Sequence, residues 1–223
     1  MENILEQIAL CVERGKINQS MPYPPDMKGQ PGADELTAQA LETGISPDDI
    51  LTHGLIAGMS KIGVKFKNNE VFVPQVLLSA KAMSGAMVHL KKYFNDGSIQ
   101  RKGKIIIGTV EGDLHDIGKN LVGMMVEGNG YEVIDLGVDV SADKFVSAIK
   151  QHPGAYVAMS ALLTTTMVNM EKINKAIKVE FPDIITFVGG APLNSEFARK
   201  IDADYYTSEP QAMVEILDRL IDK

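Results

Sequence analysis

The chain has 223 residues, enough for one or two domains of ordinary size. Apolar residues make up 45% and charged residues 23%, which excludes a disordered or collagen-like chain. A net charge of −7 disfavours nucleic acid or an anionic membrane as partner, and the single cysteine, Cys11, excludes a disulfide framework and a multi-Cys zinc site. No apolar run reaches the ~18 residues of a membrane span, and Met1-Glu2-Asn3-Ile4 lacks the basic start of a signal peptide, so a cytoplasmic protein is expected.

Residues 1–95 read as helices and loops. Glu2 to Arg14 places Ile4, Leu5, Ile8, Cys11 and Val12 on one helical face. Asn18–Gly32 carries prolines at 22, 24, 25 and 31 and is expected as a surface Ω-loop. Ala33–Glu42 is a short helix. Ser46-Pro47-Asp48-Asp49 is a helix start, with a Ser cap, Pro at the first position and acids in the first turn; this helix reaches about Phe66. After the turn Lys67–Glu70, a long helix runs from Val73 to Phe94, with Pro74 tolerated in its first turn. Four helices joined by loops predict a small antiparallel bundle.

The polar stretch 96–103 reads as a hinge, with Gly97 and Gly103 able to absorb dihedral change, and over 104–223 strand and helix alternate. The expected strands are Lys104–Val110, Tyr131–Leu136, Ala155–Ser160, Ile184–Val188 and Ala203–Tyr206. The helices between and after them are Asp116–Gly128, a Ser141-capped helix to Lys150, Thr165–Glu180, Ser195–Lys200 and Gln211–Ile221. Strands that alternate with helices imply a parallel, doubly wound sheet. The expected fold is therefore an N-terminal four-helix bundle followed by a Rossmann-like, flavodoxin-type five-stranded sheet in the order 2-1-3-4-5.

Ligands of open α/β sheets bind beyond the carboxyl ends of the strands, at the switch in strand order. Three unusual turns fall there: Glu111-Gly112-Asp113-Leu114-His115-Asp116-Ile117-Gly118, then Ser160-Ala161-Leu162 with Thr164-Thr165-Thr166 behind it, then Gly189-Gly190-Ala191-Pro192. A loop imidazole is a good ligand for a borderline metal, and an aspartate on its other ring nitrogen fixes the tautomer. Taken alone, Asp113 and His115 also read as a helix cap beside a polar loop residue. Three such turns at one crevice favour a ligand site. His53, His89 and His152 are expected to be structural or solvent-facing, and Cys11 an ordinary residue of the first helix.

Asp113-x-His115-x-x-Gly118, Ser160-x-Leu162 and Gly189-Gly190 together resemble the cobalamin-binding fingerprint of methionine synthase, of adenosylcobalamin mutases and of corrinoid proteins in methyl-transfer systems. Gly54–Met59, Gly63 and Val71–Gln75 are similar to the helical cap of the methyl-transfer corrinoid proteins. The resemblance implies domains at 1–95 (helical cap) and 104–223 (cobalamin-binding), joined by 96–103. It implies cobalamin as cofactor, a cobalt corrinoid carried as methylcobalamin in the loaded state. His115 would be the lower cobalt ligand in place of the cofactor's own base, with Asp113 on that imidazole and Thr166, where Ser is frequent, as third member. Gly112, Leu114, Asp116, Ile117 and Gly118 belong to the same cofactor-binding turn. Ser160 and Leu162, with Thr164 beside them, would line the tunnel for the displaced nucleotide tail, and Gly189 and Gly190 would leave room for it. Phe72 would cover the methyl-bearing face of the corrin; an ordinary core aromatic is the alternative.

The function so implied is methyl carriage, by a shuttle subunit without a catalytic domain of its own. One substrate-specific methyltransferase would load the methyl group, a second would unload it to tetrahydrofolate, and a reductive activase would return Co(II) to Co(I). The segment Met21–Gly32 looks most like corrinoid proteins of anaerobic O-demethylase systems, so an aryl methyl ether is the expected donor. Methylamines, quaternary amines and methanol are alternatives. A cobalamin-dependent light sensor is the alternative of another class, but such proteins usually add a basic DNA-binding domain and a Trp in the cap, and this chain has no Trp. A phospho-receiver is disfavoured because Met159-Ser160 and Thr207-Ser208 stand where its Asp and Lys would be.

Overall fold

The computed structural model describes residues 3–221; Glu2, where the sequence starts the first helix, lies outside the described residues. The chain divides into two compact units. One holds the residues up to Arg101 together with Gly128–Gly130, and the other holds Lys102–Glu127 and the residues from Tyr131 onward.

The first unit is helical. Helix α1, Ile4–Arg14, starts at Asn3, whose side chain accepts from Leu5 N, and stops at Gly15 in the left-handed region at φ 70. Helix α2 is Ala33–Glu42. The sequence predicts one regular helix from Ser46 to Phe66, and the structure corrects this. Ser46 Oγ accepts from Asp49 N at 3.0 Å and caps a first turn, Pro47–Asp49. A π-helical stretch, Ile50–Ile56, follows, and then an α-helical run, Ala57–Lys67. This composite helix is α3. Its widened turn lies where α1 approaches closely: a Cβ at Gly54 would sit 3.0 Å from Ile8 Cγ2, and one at Gly58 only 2.6 Å from Ala9 O. Helix α4, Val73–Asn95, completes the unit, and Ile8, Val12, Ala40, Ile50, Leu55, Met59, Val76 and Leu90 form its core.

The Pro-rich segment 18–32 contains a 3-10 turn, Pro25–Met27, and buries Met27. Arg14 clasps the Asp26 carboxylate at 2.6 and 2.9 Å, and Glu35 accepts from Gln19 N and Gly32 N at 2.9 and 2.8 Å. Cys11 is a core residue whose thiol is pushed up to about 11, chiefly by burial, against the nearby Lys16 charge and with Glu35 adding to the rise. His89 Nε2 lies 2.5 Å from Asp34, and His53, exposed, lies 3.8 Å from Asp49 one turn earlier.

The second unit is the predicted parallel sheet. Its strands are β1 Lys104–Thr109, β2 Glu132–Asp135, β3 Tyr156–Ser160, β4 Thr186–Gly189 and β5 Tyr205–Thr207, in the order β2-β1-β3-β4-β5. Helices α5 Ile117–Gly128 and α6 Ala142–Gln151 follow the first two strands. The predicted helix Thr165–Glu180 is two pieces, α7 Thr164–Met167 and α8 Asn169–Glu180, broken at Val168. Either side of the break reaches a different part of the β1–α5 loop, Thr166 its Asp113 and Asn169 its Glu111. Helices α9 Ser195–Lys200 and α10 Pro210–Ile221 close the unit. Ile106, Val157, Met159 and Val188 of the sheet pack with Phe145, Ile149, Ile173 and Ile177. Burial of these apolar strands on both faces fits an all-parallel sheet. Among the described residues no helix is long and apolar enough to cross a membrane.

Register aligns the carboxyl edge of the sheet. Thr109 pairs with Ser160, Ser160 with Gly189 and Gly189 with Thr207, so four small residues form one row across four strands. The three turns singled out in the sequence leave from this row.

Candidate functional site

The β1–α5 loop is held by its own aspartate. Asp113 has no exposed surface, while its neighbours Gly112, Leu114 and His115 are exposed. Its Oδ1 accepts from His115 N at 3.0 Å and faces His115 Nδ1 at 2.7 Å. Its Oδ2 accepts from Leu162 N at 2.8 Å and from the Thr166 hydroxyl at 2.6 Å. Gly112 turns the chain into this arrangement in the left-handed region, at φ 82.

Burial alone would raise the Asp113 carboxyl. The Thr166 hydroxyl, the Leu162 and His115 amides and the His115 ring outweigh it and hold the group well below the usual carboxylate range. Asp113 is thus a carboxylate at neutral pH and accepts at Nδ1, which places the ring proton there. The His115 lone pair then lies on Nε2, and half of the side chain is exposed. The reading of Asp113 as a helix cap does not hold, because all four of its partners lie outside the first turn of α5.

Most of the other predicted residues surround this centre without bonding to it. Leu114 and Ile117, on either side of His115, are 72% and 75% exposed, and Leu162 is 44% exposed. Asp116 accepts from Asn120 Nδ2 at 3.0 Å, on the first turn of α5. A Cβ at Gly118 would meet nothing within 4 Å, so this glycine faces open space. Ser160 ends β3 beside Gly189, and Thr164 is exposed at the start of α7. Gly190 has a reason within the fold itself: it lies at φ 131, and a Cβ there would sit 1.9 Å from Ala161 O. The protein's own backbone therefore demands this glycine, whatever binds nearby. At Gly189 a Cβ would approach Thr207 O at 3.1 Å. Phe72 belongs to the helical unit, at the N-cap of α4, and is 70% exposed, so it is not a core aromatic.

Three functional contacts escape sequence reasoning. The Leu162 amide is a backbone group and has no sequence signature. Thr109 Oγ1 donates to His115 O at 2.9 Å, and its only signal is a Thr at the end of an isoleucine-rich strand. Asn169 Nδ2 donates to Glu111 O at 2.7 Å across the break between α7 and α8.

The donor set fits a metal that brings its other ligands. Among the described residues no three His, Cys, Asp or Glu side chains gather as a metal cluster. A lone imidazole with a fixed tautomer, an exposed apolar collar and a clear space at Gly118 suit a metal macrocycle lying over the loop.

Known proteins agree. The family profile described as "B12 binding domain" matches residues 103–217, and a second profile of that description matches 30–91. The trimethylamine corrinoid protein of Methanosarcina barkeri is 40% identical over 178 residues, covering 78% of this chain and 82% of that protein. The crystal structure of the methanol:cobalamin methyltransferase complex of Methanosarcina barkeri matches with a TM-score of 0.82 at 28% identity, over 99% of this chain and 80% of that one. A cobalamin-binding protein of Desulfitobacterium hafniense matches with a TM-score of 0.75 at 26% identity, over 96% of this chain and 97% of that one. This chain therefore belongs to the B12-binding corrinoid proteins, with cobalamin as its cofactor.

Proposed function

We propose that this chain is a methyl carrier that works between two methyltransferases and holds cobalamin through His115 with the cofactor's own base displaced. The observation that carries this reading is the Thr166–Asp113–His115 chain, which leaves Nε2 as the ring's free donor atom. Bound cobalamin supplies the methyl-accepting and methyl-releasing chemistry. The chain supplies ligation and orientation. His115 would hold cobalt, and Asp113 would keep the imidazole in one tautomer and one rotamer. Leu114, Ile117 and Leu162 would cover apolar ring edges, and Gly112, Asp116 and Gly118 would shape the turn under the ring. Ser160, Leu162, Thr164, Gly189 and Gly190 would hold the displaced nucleotide tail.

The relatives' names support one partner that loads the methyl group; a second that unloads it to tetrahydrofolate and a reductive activase complete the reading. An aryl methyl ether is the donor favoured by the likeness of Met21–Gly32 to O-demethylase corrinoid proteins. A methylamine is the second reading, favoured by the 40% identity to a trimethylamine corrinoid protein. The test begins with cobalamin-loaded protein. The Co(II) EPR signal is expected to show nitrogen coupling from the His115 imidazole, and His115→Ala to abolish it. An unchanged coupling pattern in that variant overturns the ligand assignment. Methyl transfer from a panel of aryl methyl ethers, methylamines and methanol, each with its loading enzyme, decides the donor.

A further inference from the structure

The glycine that turns the His115 loop creates a problem. Gly112 sits in the left-handed region with no Cβ to restrict it, immediately before the aspartate that must aim the imidazole. A free glycine there would let Asp113 swing.

The β2–α6 loop removes that freedom. Thr109 N donates to Gly137 O at 3.0 Å and Val140 N donates to Thr109 O at 2.9 Å, which lays residues 137–140 along the start of the His115 loop. Between these bonds lies Asp139. Its Oδ1 accepts from Gly112 N at 2.7 Å, and its own N donates to Asp113 O at 3.0 Å. One residue thus grips the Gly112–Asp113 dipeptide at both ends. Asp139 does so from φ 53, a region where glycine would be easier. The side-chain bond to Gly112 explains why an aspartate stands there.

From this geometry we infer that Asp139 is a positioning residue for the metal-binding histidine. It acts through Asp113, and neither of these two bonds goes to the imidazole. The inference rests on the reading of His115 as the cobalt ligand. Its structural part, the aim of Asp113 at His115 Nδ1, stands without a cofactor.

Two variants separate the clasp from the backbone. Asp139→Gly keeps the left-handed conformation accessible and removes the acceptor. Asp139→Asn also tolerates that conformation and keeps an oxygen for Gly112 N. The first readout is the 15N spectrum of the His115 ring in cofactor-free protein at alkaline pH. Wild type and Asp139→Asn are expected to show one tautomer, protonated at Nδ1, and Asp139→Gly a mixture. The second is titration with aquocobalamin. Asp139→Gly is expected to bind about tenfold more weakly, the lower end of the usual loss for an outer-shell partner, and Asp139→Asn within about twofold of wild type. A third readout needs no variant: the Gly112 amide of the wild-type protein is expected to exchange slowly although the residue is exposed. A wild-type ring spectrum and affinity in Asp139→Gly, equal losses in both variants, or a fast Gly112 amide overturns the inference. Failure of His115 to bind cobalt in wild type overturns the functional reading instead, and the cofactor-free ring spectrum still decides the clasp.

Discussion

Asp113 carries its charge with no exposed surface, and an unpaired carboxylate out of water costs several kcal/mol. Two backbone amides, one hydroxyl and one imidazole offset that cost. Thr166 is the side chain whose removal spares the imidazole; its hydroxyl lies 2.6 Å from Asp113 Oδ2 and 3.1 Å from Leu163 O. Thr166→Val keeps the shape and leaves the Asp113 Oδ2 atom with one donor fewer. Loss of a hydrogen bond to a buried charge costs about 1–3 kcal/mol, so the urea midpoint of this variant is expected to fall accordingly. Thr166→Ser keeps the hydroxyl and is expected to lose less than about 1 kcal/mol. Equal midpoints for Thr166→Val and wild type contradict this account. The partnership of Thr166 with Asp113 was legible from its spacing to Ser160 through the family resemblance. That of the Leu162 amide was not, because every residue but proline carries the same group.

At the scale of elements, the bundle shows what periodicity leaves out. The apolar spacing of Ile50, Leu51, Leu55, Met59 and Ile62 predicts a helix, and these residues are buried on one. The π-helical turn inside it was not legible, because one widened turn barely shifts the spacing that periodicity measures. It lies where the helix packs against α1, with Gly54 in the π-helical stretch and Gly58 just after it at the close approach. Gly58→Ala is therefore expected to destabilise the helical unit by about 1–3 kcal/mol, since its Cβ would lie 2.6 Å from the Ala9 carbonyl. Gly123 in α5 provides the contrast. A Cβ there would make an ordinary contact, 3.7 Å from Val133 Cγ1, so Gly123→Ala is expected to be neutral or to stabilise by up to about 1 kcal/mol. Guanidinium unfolding of both variants checks the opposite signs, and equal effects would refute the close-approach argument.

At the scale of the whole molecule, fold and function meet at one edge of the sheet. The row Thr109, Ser160, Gly189, Thr207 ends four strands with residues small enough for three turns to leave side by side. The sequence makes the strand order and the glycines visible but does not say which glycine serves the fold and which the ligand. Geometry separates them. A Cβ at Gly190 would overlap the Ala161 carbonyl at 1.9 Å, and its φ of 131 is one that other residues rarely adopt. A Cβ at Gly118 would touch no protein atom within 4 Å. Gly190→Ala is therefore expected to cost about 3 kcal/mol or more in cofactor-free protein, with weaker cobalamin binding only as a consequence. Gly118→Ala, in the first turn of α5, is expected to leave the cofactor-free protein as stable as wild type or slightly more so. If the space at Gly118 is where the corrin lies, that methyl group weakens aquocobalamin binding at least about tenfold, or 1.4 kcal/mol. Thermal unfolding without cofactor and aquocobalamin titration, run on both variants, give the two quantities separately. Wild-type affinity in Gly118→Ala removes that glycine from the site, and a normally stable Gly190→Ala removes the structural reason for the second glycine of the pair.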